Sequence, residues 1–192
     1  MSEKVRTFIA VEIPGEVRDR AKQLIARLST TPANVKWVGP EAMHWTLKFL
    51  GDVDMLEVPE ICAAVERACR PFEPFDVEAK GAGAFPDARR PRTVWIGVGQ
   101  GSEAMIALHD AIELELSELG YREENRRFRP HLTIGRVRNS PEGISELGSQ
   151  VLANANFESG LSTVYEVIIF ASTLGPKGPT HEPLGHAELR GS

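Results

Sequence analysis

The sequence predicts an α+β fold in which two pseudo-symmetric lobes of antiparallel sheet, each with outer helices, surround a central cleft. One reason is that strand-like and helix-like apolar patterns follow each other twice along the 192-residue chain. Another is that RTFIAV at Arg6 is similar to RTVWIGV at Arg92, 86 residues later. A third is that HWTLKFLG at His44 is similar to HLTIGRV at His131, 87 residues later.

The first half of the chain begins with a predicted strand and helix. Residues 6–13 are rich in β-branched and aromatic residues and end at a Pro-Gly pair, which is typical of a strand. Apolar residues then recur at helical spacing over residues 16–29. The other elements predicted for this half are a short extended piece at 35–38, a strand at 44–50 ended by Gly51, a helix at 55–69 and an extended segment at 75–85.

The elements predicted for the second half of the chain follow the same order as those of the first half. They are a strand at 92–98, a helix at 102–119, a strand at 131–137, a helix at 141–152 and a very apolar strand at 164–172. The tail is predicted to be a loop until a short strand near residues 186–189. Two copies are too few for a solenoid. We therefore expect residues 1–192 to form one domain of two duplicated lobes, with one HxTx motif in each lobe, at 44–47 and at 131–134.

Composition excludes several classes of protein. A net charge of -5 argues against a broad basic surface that coats duplex nucleic acid, although a small basic pocket for one phosphate remains compatible. Two cysteines are too few for a cysteine-based zinc site. Neither a membrane-spanning apolar run nor a signal segment is recognisable, so we expect a cytoplasmic location. No apolar stripe demands a protein partner, and a monomer is expected.

The two HxT segments carry the candidate chemistry. Residues two apart in a strand share a face, so each segment presents one imidazole and one hydroxyl together. Phosphodiester hydrolysis needs a base for water, an acid for the leaving oxygen and donors for the other phosphate oxygens. Two imidazoles can supply the acid and the base near neutral pH. Two histidines and two threonines would hold zinc poorly, and no metal or other cofactor is expected.

The motifs identify a family. His44-Trp45-Thr46-Leu47 and His131-Leu132-Thr133-Ile134, with the flanking RTFIAVEIP and FRPHLTIGR, resemble the two-histidine phosphoesterases, and within them the RNA 2',3'-cyclic phosphodiesterases, also called 2'-5' RNA ligases. The resemblance implies two α+β lobes around a cleft and opening of RNA 2',3'-cyclic phosphates to 2'-phosphates. It further implies that His44 is the proton donor, that His131 is the proton acceptor, and that Thr46, Thr133 and Arg136 bind phosphate.

Five sets of residues remain open from the sequence. Strict alternation puts Arg136 on the opposite face from His131 unless the strand bends near Gly135. Strict alternation also places Lys48, four residues after His44, on the same face as His44 and therefore in the cleft. Phe8 either stacks a base or belongs to the core. The basic loops at 89–92 and 122–129 either follow an RNA backbone or are simply solvated. Packing or surface roles are favoured for the remaining histidines, which are His109, His181 and His186.

Two other functions compete with the leading one. The same site would suit a small cyclic nucleotide or a cyclic phosphate on a sugar such as ADP-ribose. A protein of a different class, an RNA-binding module whose histidines only contact phosphate, is disfavoured by the acidic net charge. The expected binding partners are RNA ends or nucleotides that carry a 2',3'-cyclic phosphate.

Overall fold

A computed structural model describes residues 3–138, 141–176 and 178–192. The strands in these ranges are Lys4–Glu12 (β1), Val35–Trp37 (β2), His44–Asp54 (β3), Phe75–Phe85 (β4), Thr93–Val98 (β5), His131–Val137 (β6), Glu158–Val164 (β7), Glu166–Gly175 (β8) and Gly178–Glu188 (β9). The helices are Gly15–Leu28 (α1), Val58–Cys69 (α2), Ser102–Glu118 (α3) and Ile144–Ala153 (α4), and a short 3₁₀ turn spans Pro40–Ala42. Within the described ranges, no helix is both long and apolar enough to cross a membrane.

Two antiparallel sheets form the frame. The first sheet has the order β3-β1-β8-β9, and the second has the order β2-β6-β5-β4-β7. Leaving aside the short edge strand β2, the two orders correspond strand for strand, with β3 equivalent to β6 and β1 equivalent to β5. The predicted α+β class, with two related antiparallel sheets and helices, is confirmed.

Each sheet takes strands from both halves of the chain. Strand β4 belongs to the first half, yet it pairs with β5 and β7 in the second sheet. In exchange, β8 crosses back and pairs with β1 in the first sheet. The two HxT strands therefore belong to different sheets that are interlocked by this exchange.

The apolar residues form a main core and a smaller second cluster. Helix α1 shows how the main core is built, since Val17, Ala21, Leu24 and Leu28 recur on one face and are fully buried. The small cluster is formed by alternate residues of β1 and β8, which are Phe8, Ala10, Ile168 and Phe170. Because successive strand residues point to opposite faces, this cluster marks the face of the first sheet that is turned away from the main core.

The tail differs from its prediction. Residues 178–188, predicted mostly as loop, pair along the whole of β8 as strand β9, and β7 was not predicted at all. Both are edge strands with many exposed, polar or turn-forming residues. An edge strand has a free side and needs little apolar surface, so its apolar alternation is weak. Strand β3 also continues past Gly51, whose φ of 78° belongs to a register shift and not to a turn.

Candidate active site

A cleft of about 890 Å³ has walls from both sheets. All six side chains that the sequence singled out line it: Phe8, His44, Thr46, His131, Thr133 and Arg136. The histidines occupy equivalent places, because each is the first residue of its HxT strand. The interlocked sheets thus bring together two segments that are 87 residues apart in the chain.

His44 lies in an aromatic environment. Its ring stacks on Phe8, with ring centroids 4.7 Å apart, and Phe8 stacks in turn on Phe170 at 5.2 Å. Phe8 is only 3% exposed and belongs to the small apolar cluster, so it packs beneath the histidine and leaves almost no surface on which a base could stack. Burial lowers the pKa of His44 to about 4, and the neighbouring His181 contributes to the lowering. The imidazole of His44 is therefore neutral at pH 7 when no ligand is bound.

His181 is a third histidine in the cleft, which the sequence did not indicate. Its ring meets His44 edge-on at 5.3 Å and Phe8 at 4.8 Å. Burial lowers the pKa of His181, while the adjacent Thr180 backbone opposes the lowering. The residue has no HxT context, and only the pairing of β9 with β8 carries it to the site, so spacing offered no signal. His186 on the same strand instead contacts Glu166 at 3.1 Å on the surface.

Replacing His181 with Gln is expected to raise the pKa of His44. The substitution removes the imidazole whose charge opposes protonation of His44, while a polar side chain of similar reach remains. Titration of the His44 ring by NMR measures the effect. His186→Gln is the matched control on the same strand and should leave the titration unchanged. A His44 pKa that stays constant or falls in His181→Gln would contradict the contact.

His131 is oriented as an acceptor. Its Nδ1 lies 2.6 Å from the carbonyl oxygen of Arg129, and because a carbonyl only accepts, Nδ1 carries the proton. Nε2 of the neutral ring is then left with its lone pair. Burial lowers the pKa of His131, the Arg129 hydrogen bond opposes this, and the positive charge of Arg136 lowers it further. A neutral, fixed imidazole suits a general base.

A β-bulge returns Arg136 to the side of His131. In the pairing of β5 with β6, Val94 faces Gly135 and Trp95 faces Thr133, so Ile134 is an extra residue. One extra residue reverses the alternation, and Arg136 lines the cleft with Thr133. The expectation from strict alternation is therefore wrong, and the exception foreseen for a bend near Gly135 applies.

Gly135 is required at the bulge by close packing. A Cβ atom there would lie 2.7 Å from the ring of Trp37 and 2.8 Å from the side chain of Val35. Both residues belong to β2, which pairs with β6 at this point. The glycine lets the edge strand approach while the strand bends, so it serves the position of Arg136 indirectly.

The first motif contains the same bulge with a different outcome. Ala10 faces Thr46 and Ile9 faces Lys48, so Leu47 is the extra residue. Lys48 consequently turns away from the cleft and is buried at 3% exposure. The prediction that Lys48 lines the cleft is wrong for this reason.

The place equivalent to Arg136 is taken by Phe49, which is 56% exposed in the cleft. One motif therefore carries a cation beside its threonine and the other carries an aromatic ring. This difference breaks the symmetry of the site.

Positive charge is concentrated along the cleft despite the acidic composition. Its charged lining residues other than histidine are Arg6, Lys36, Arg126, Arg127, Arg129, Arg136 and Glu124. The loop at 122–129 thus contributes to the wall. The loop at 89–92 does not line the cleft, and the backbone N–H groups of Arg89 and Arg90 donate to Asp87 instead.

The cleft has the donors to hold an anion. Hydroxyls of Thr46 and Thr133 and the guanidinium of Arg136 can all donate to phosphate oxygens, and a guanidinium can do so in a bidentate manner. Within residues 3–138, 141–176 and 178–192, no group of three or more His, Cys, Asp or Glu side chains is arranged to hold a metal ion.

Comparison with known protein families agrees with the fold and the twin motifs. The family model described as LigT like Phosphoesterase matches the chain twice, over residues 11–95 and 96–181, and each match contains one HxT segment. The protein is thus a phosphoesterase of the two-histidine class. More particularly, the chain belongs to the LigT-like phosphoesterase family, as the resemblance of its motifs predicted.

Relatives and solved structures cover nearly the whole chain. Proteins named RNA 2',3'-cyclic phosphodiesterase are 38% identical in Methanothermobacter thermautotrophicus (93% of this chain, 95% of the relative) and 34% identical in Thermotoga maritima (97% of each). The structure of TT0787 from Thermus thermophilus has a TM-score of 0.80 at 26% identity, covering 97% of this chain and 99% of that one. E. coli LigT complexed with 3'-AMP has a TM-score of 0.76 at 25% identity, with the same coverage.

Proposed function

We propose that this protein hydrolyses RNA 2',3'-cyclic phosphodiester ends to 2'-phosphomonoesters, with His44 as proton donor and His131 as proton acceptor. The observation that carries the proposal is that two HxT strands from different sheets line one cleft, with Arg136 beside the second. The names of the relatives in Methanothermobacter thermautotrophicus and Thermotoga maritima support the same substrate.

The reaction balances with these groups alone. Nε2 of His131 takes a proton from water while the water oxygen bonds to phosphorus. The bond from phosphorus to the ribose 3'-oxygen breaks, and His44 donates a proton to that oxygen. Thr46, Thr133 and Arg136 stabilise the charge on the non-bridging oxygens. The products are a 2'-phosphate and a free 3'-hydroxyl, and no metal ion takes part in the proposed reaction.

The asymmetry of the cleft supports this division of roles. Arg136 lies on the side of His131, where it attracts the phosphate, whereas the exposed ring of Phe49 lies on the side of His44, next to the buried Phe8. Aromatic rings suit the nucleoside, so the ribose and its leaving oxygen are expected to face His44. Water then approaches phosphorus from the opposite side, where His131 holds an unprotonated Nε2.

The value of kcat/KM is expected to fall about tenfold per pH unit above pH 6.5. The reactive form of the free enzyme has His44 protonated and His131 neutral, and both pKa values lie below the usual 6.5. Raising the pH above both values depletes that form. The alkaline limb of kcat should lie at higher pH, because bound phosphate raises the pKa of His44. Steady-state rates on a 2',3'-cyclic-ended oligonucleotide from pH 4 to 8.5 measure both profiles, and a kcat/KM that still rises above pH 7 would contradict the assignment.

Product analysis is the direct test of the reaction. A 2',3'-cyclic-ended oligonucleotide, incubated with the protein in EDTA, should yield a 2'-phosphate. A 3'-phosphate product would reverse the leaving group and overturn the roles of the histidines, and a loss of turnover in EDTA would overturn the metal-free mechanism. Cyclic mononucleotides and ADP-ribose cyclic phosphate are the comparison substrates. An RNA 5'-hydroxyl in place of water would give reversible 2'-5' ligation by the same chemistry.

A further inference from the structure

The segment 121–130, here called the arginine segment, forms one wall of the cleft. It connects α3 to the HxT strand β6. Arg126, Arg127 and Arg129 are exposed along it and line the cleft. A segment without regular secondary structure needs other contacts to hold such a wall in place.

A buried ion pair supplies two of those contacts. Lys48, turned inward by the bulge in β3, pairs with Glu113 of α3. The Lys48 ammonium also donates to the carbonyl oxygen of Arg122 at 3.0 Å, and Glu113 accepts from the backbone N–H of Glu124 at 3.1 Å. Each member of the pair thus holds one backbone group of the arginine segment.

An aromatic contact holds the far part of the segment. The ring of Phe128 stacks on His109 of α3, with centroids 4.1 Å apart and planes 1° from parallel. His109 is buried, and its Nε2 lies 3.7 Å from the Glu113 carboxylate. The arginine segment is therefore fastened at Arg122, Glu124 and Phe128, all against one face of α3 and the inner side of β3.

Stability alone does not account for the ion pair. Burying two charges costs several kcal/mol of desolvation, and a well-packed apolar pair in such a position is often as stable. What an apolar pair cannot do is hold the Arg122 carbonyl and the Glu124 N–H at the same time. The geometry of the pair therefore points to placement of the segment.

The cations of the segment exceed what a cyclic phosphate needs. A single monoanionic phosphodiester is matched by Arg136 and the two threonine hydroxyls. Arg126, Arg127 and Arg129 extend the positive lining in a protein whose net charge is -5. A row of cations along a groove is the arrangement that binds successive phosphates of a single strand.

We infer that Lys48 and Glu113 are positioning residues that hold the arginine segment against the cleft, where it binds the phosphates of the RNA strand preceding the cyclic end. This inference rests on the proposed function. It implies that the enzyme prefers a cyclic-ended oligonucleotide to a 2',3'-cyclic mononucleotide, and that the preference depends on two residues that touch neither substrate.

The double variant Lys48→Met/Glu113→Gln tests the inference. It removes both charges together, so the net charge stays the same and no single buried charge is left unpaired. We expect KM for the oligonucleotide to rise about tenfold, because the arginine segment loses its anchors. For the mononucleotide, kcat/KM should stay within about twofold of wild type. The hydrogen bond from His131 Nδ1 to the Arg129 carbonyl oxygen joins residues only two apart in the chain, so it does not depend on the ion pair. Arg67→Met/Glu115→Gln, which removes an exposed ion pair between α2 and α3, is the matched control and should change neither substrate.

Two further variants keep the test decisive if the buried pair proves necessary for folding. Arg126→Gln/Arg127→Gln should weaken binding of the oligonucleotide and leave the mononucleotide unaffected. The slope of log KM against the logarithm of the salt concentration should fall by about 1.4, since each phosphate contact on a single strand contributes about 0.7 to this slope. Phe128→Ala should give the same selectivity with a smaller effect.

An equal loss on both substrates, or an oligonucleotide preference unchanged within twofold, overturns the inference while wild-type turnover leaves the proposed function standing. Wild-type protein that turns over neither substrate overturns the proposed function itself.

Discussion

Replacing His131 with Asn is expected to lower kcat by about 10² to 10⁴-fold, with little change in KM. The amide of Asn can still donate to the Arg129 carbonyl in place of Nδ1, so the local hydrogen bond is kept and only the proton acceptor is lost. His44→Gln should lower kcat by a similar factor, because the ribose 3'-oxygen then leaves without receiving a proton from His44. Single-turnover rates on a cyclic-ended oligonucleotide measure the chemical step.

The matched control for both histidines is His186→Asn, which removes a surface imidazole from β9. It should retain full activity. Because the two histidines act in one step, the double variant should lose less than the product of the two single losses. Full activity in either single variant would refute the acid and base roles.

Replacing Arg136 with Gln is expected to lower kcat/KM by about 10 to 150-fold, which corresponds to about 1.5–3 kcal/mol for a hydrogen bond to a charged group. The same substitution should raise the pKa of His131, because the guanidinium charge contributes to keeping that pKa low. Because the base must be unprotonated, the higher pKa of His131 should lower kcat/KM further at acidic pH than above pH 7. Arg136→Lys should recover only part of the loss, since an ammonium cannot bind phosphate in a bidentate manner.

Arg138→Gln is the matched control for Arg136. Arg138 is exposed and follows two residues later, just beyond the end of β6, so its replacement removes the same charge from nearly the same place in the chain. The control should alter neither kcat/KM nor the titration of His131. An unchanged kcat/KM in Arg136→Gln would show that the bulge at Ile134 does not serve phosphate binding.

The regular elements were predictable because their signals are local. Apolar spacing in α1 and in the helix over Ser102–Glu118 follows directly from which face is buried. The repeated HxT segments could be recognised because duplication leaves similar letters at similar spacing. The candidate histidines and threonines were therefore named from the sequence, and the structure places all four in one cleft.

The orientation of single side chains was less accessible. Strict alternation places both Lys48 and Arg136 on the wrong face, because each follows a one-residue bulge, and only Arg136 has a preceding glycine that signals the bend. A bulge depends on how the neighbouring strand pairs, and nothing local to HWTLKF states that Leu47 is extra. The bulge after Thr46 matters for the chemistry of the site. Because of it, the cleft contains the exposed ring of Phe49, and the ammonium of Lys48 is buried away from the cleft.

What the sequence determined was the class of fold, the two motifs and the residue types available for acid–base chemistry, because these depend on local pattern and on duplication. What only the tertiary structure decided was which distant residues meet. The crossing of β4 and β8 between sheets interlocks the two halves, and the pairing of β9 with β8 brings His181 to His44. The burial that lowers the pKa of His44 arises from neighbours on three strands. Such contacts are long-range in the chain, so no local pattern encodes them.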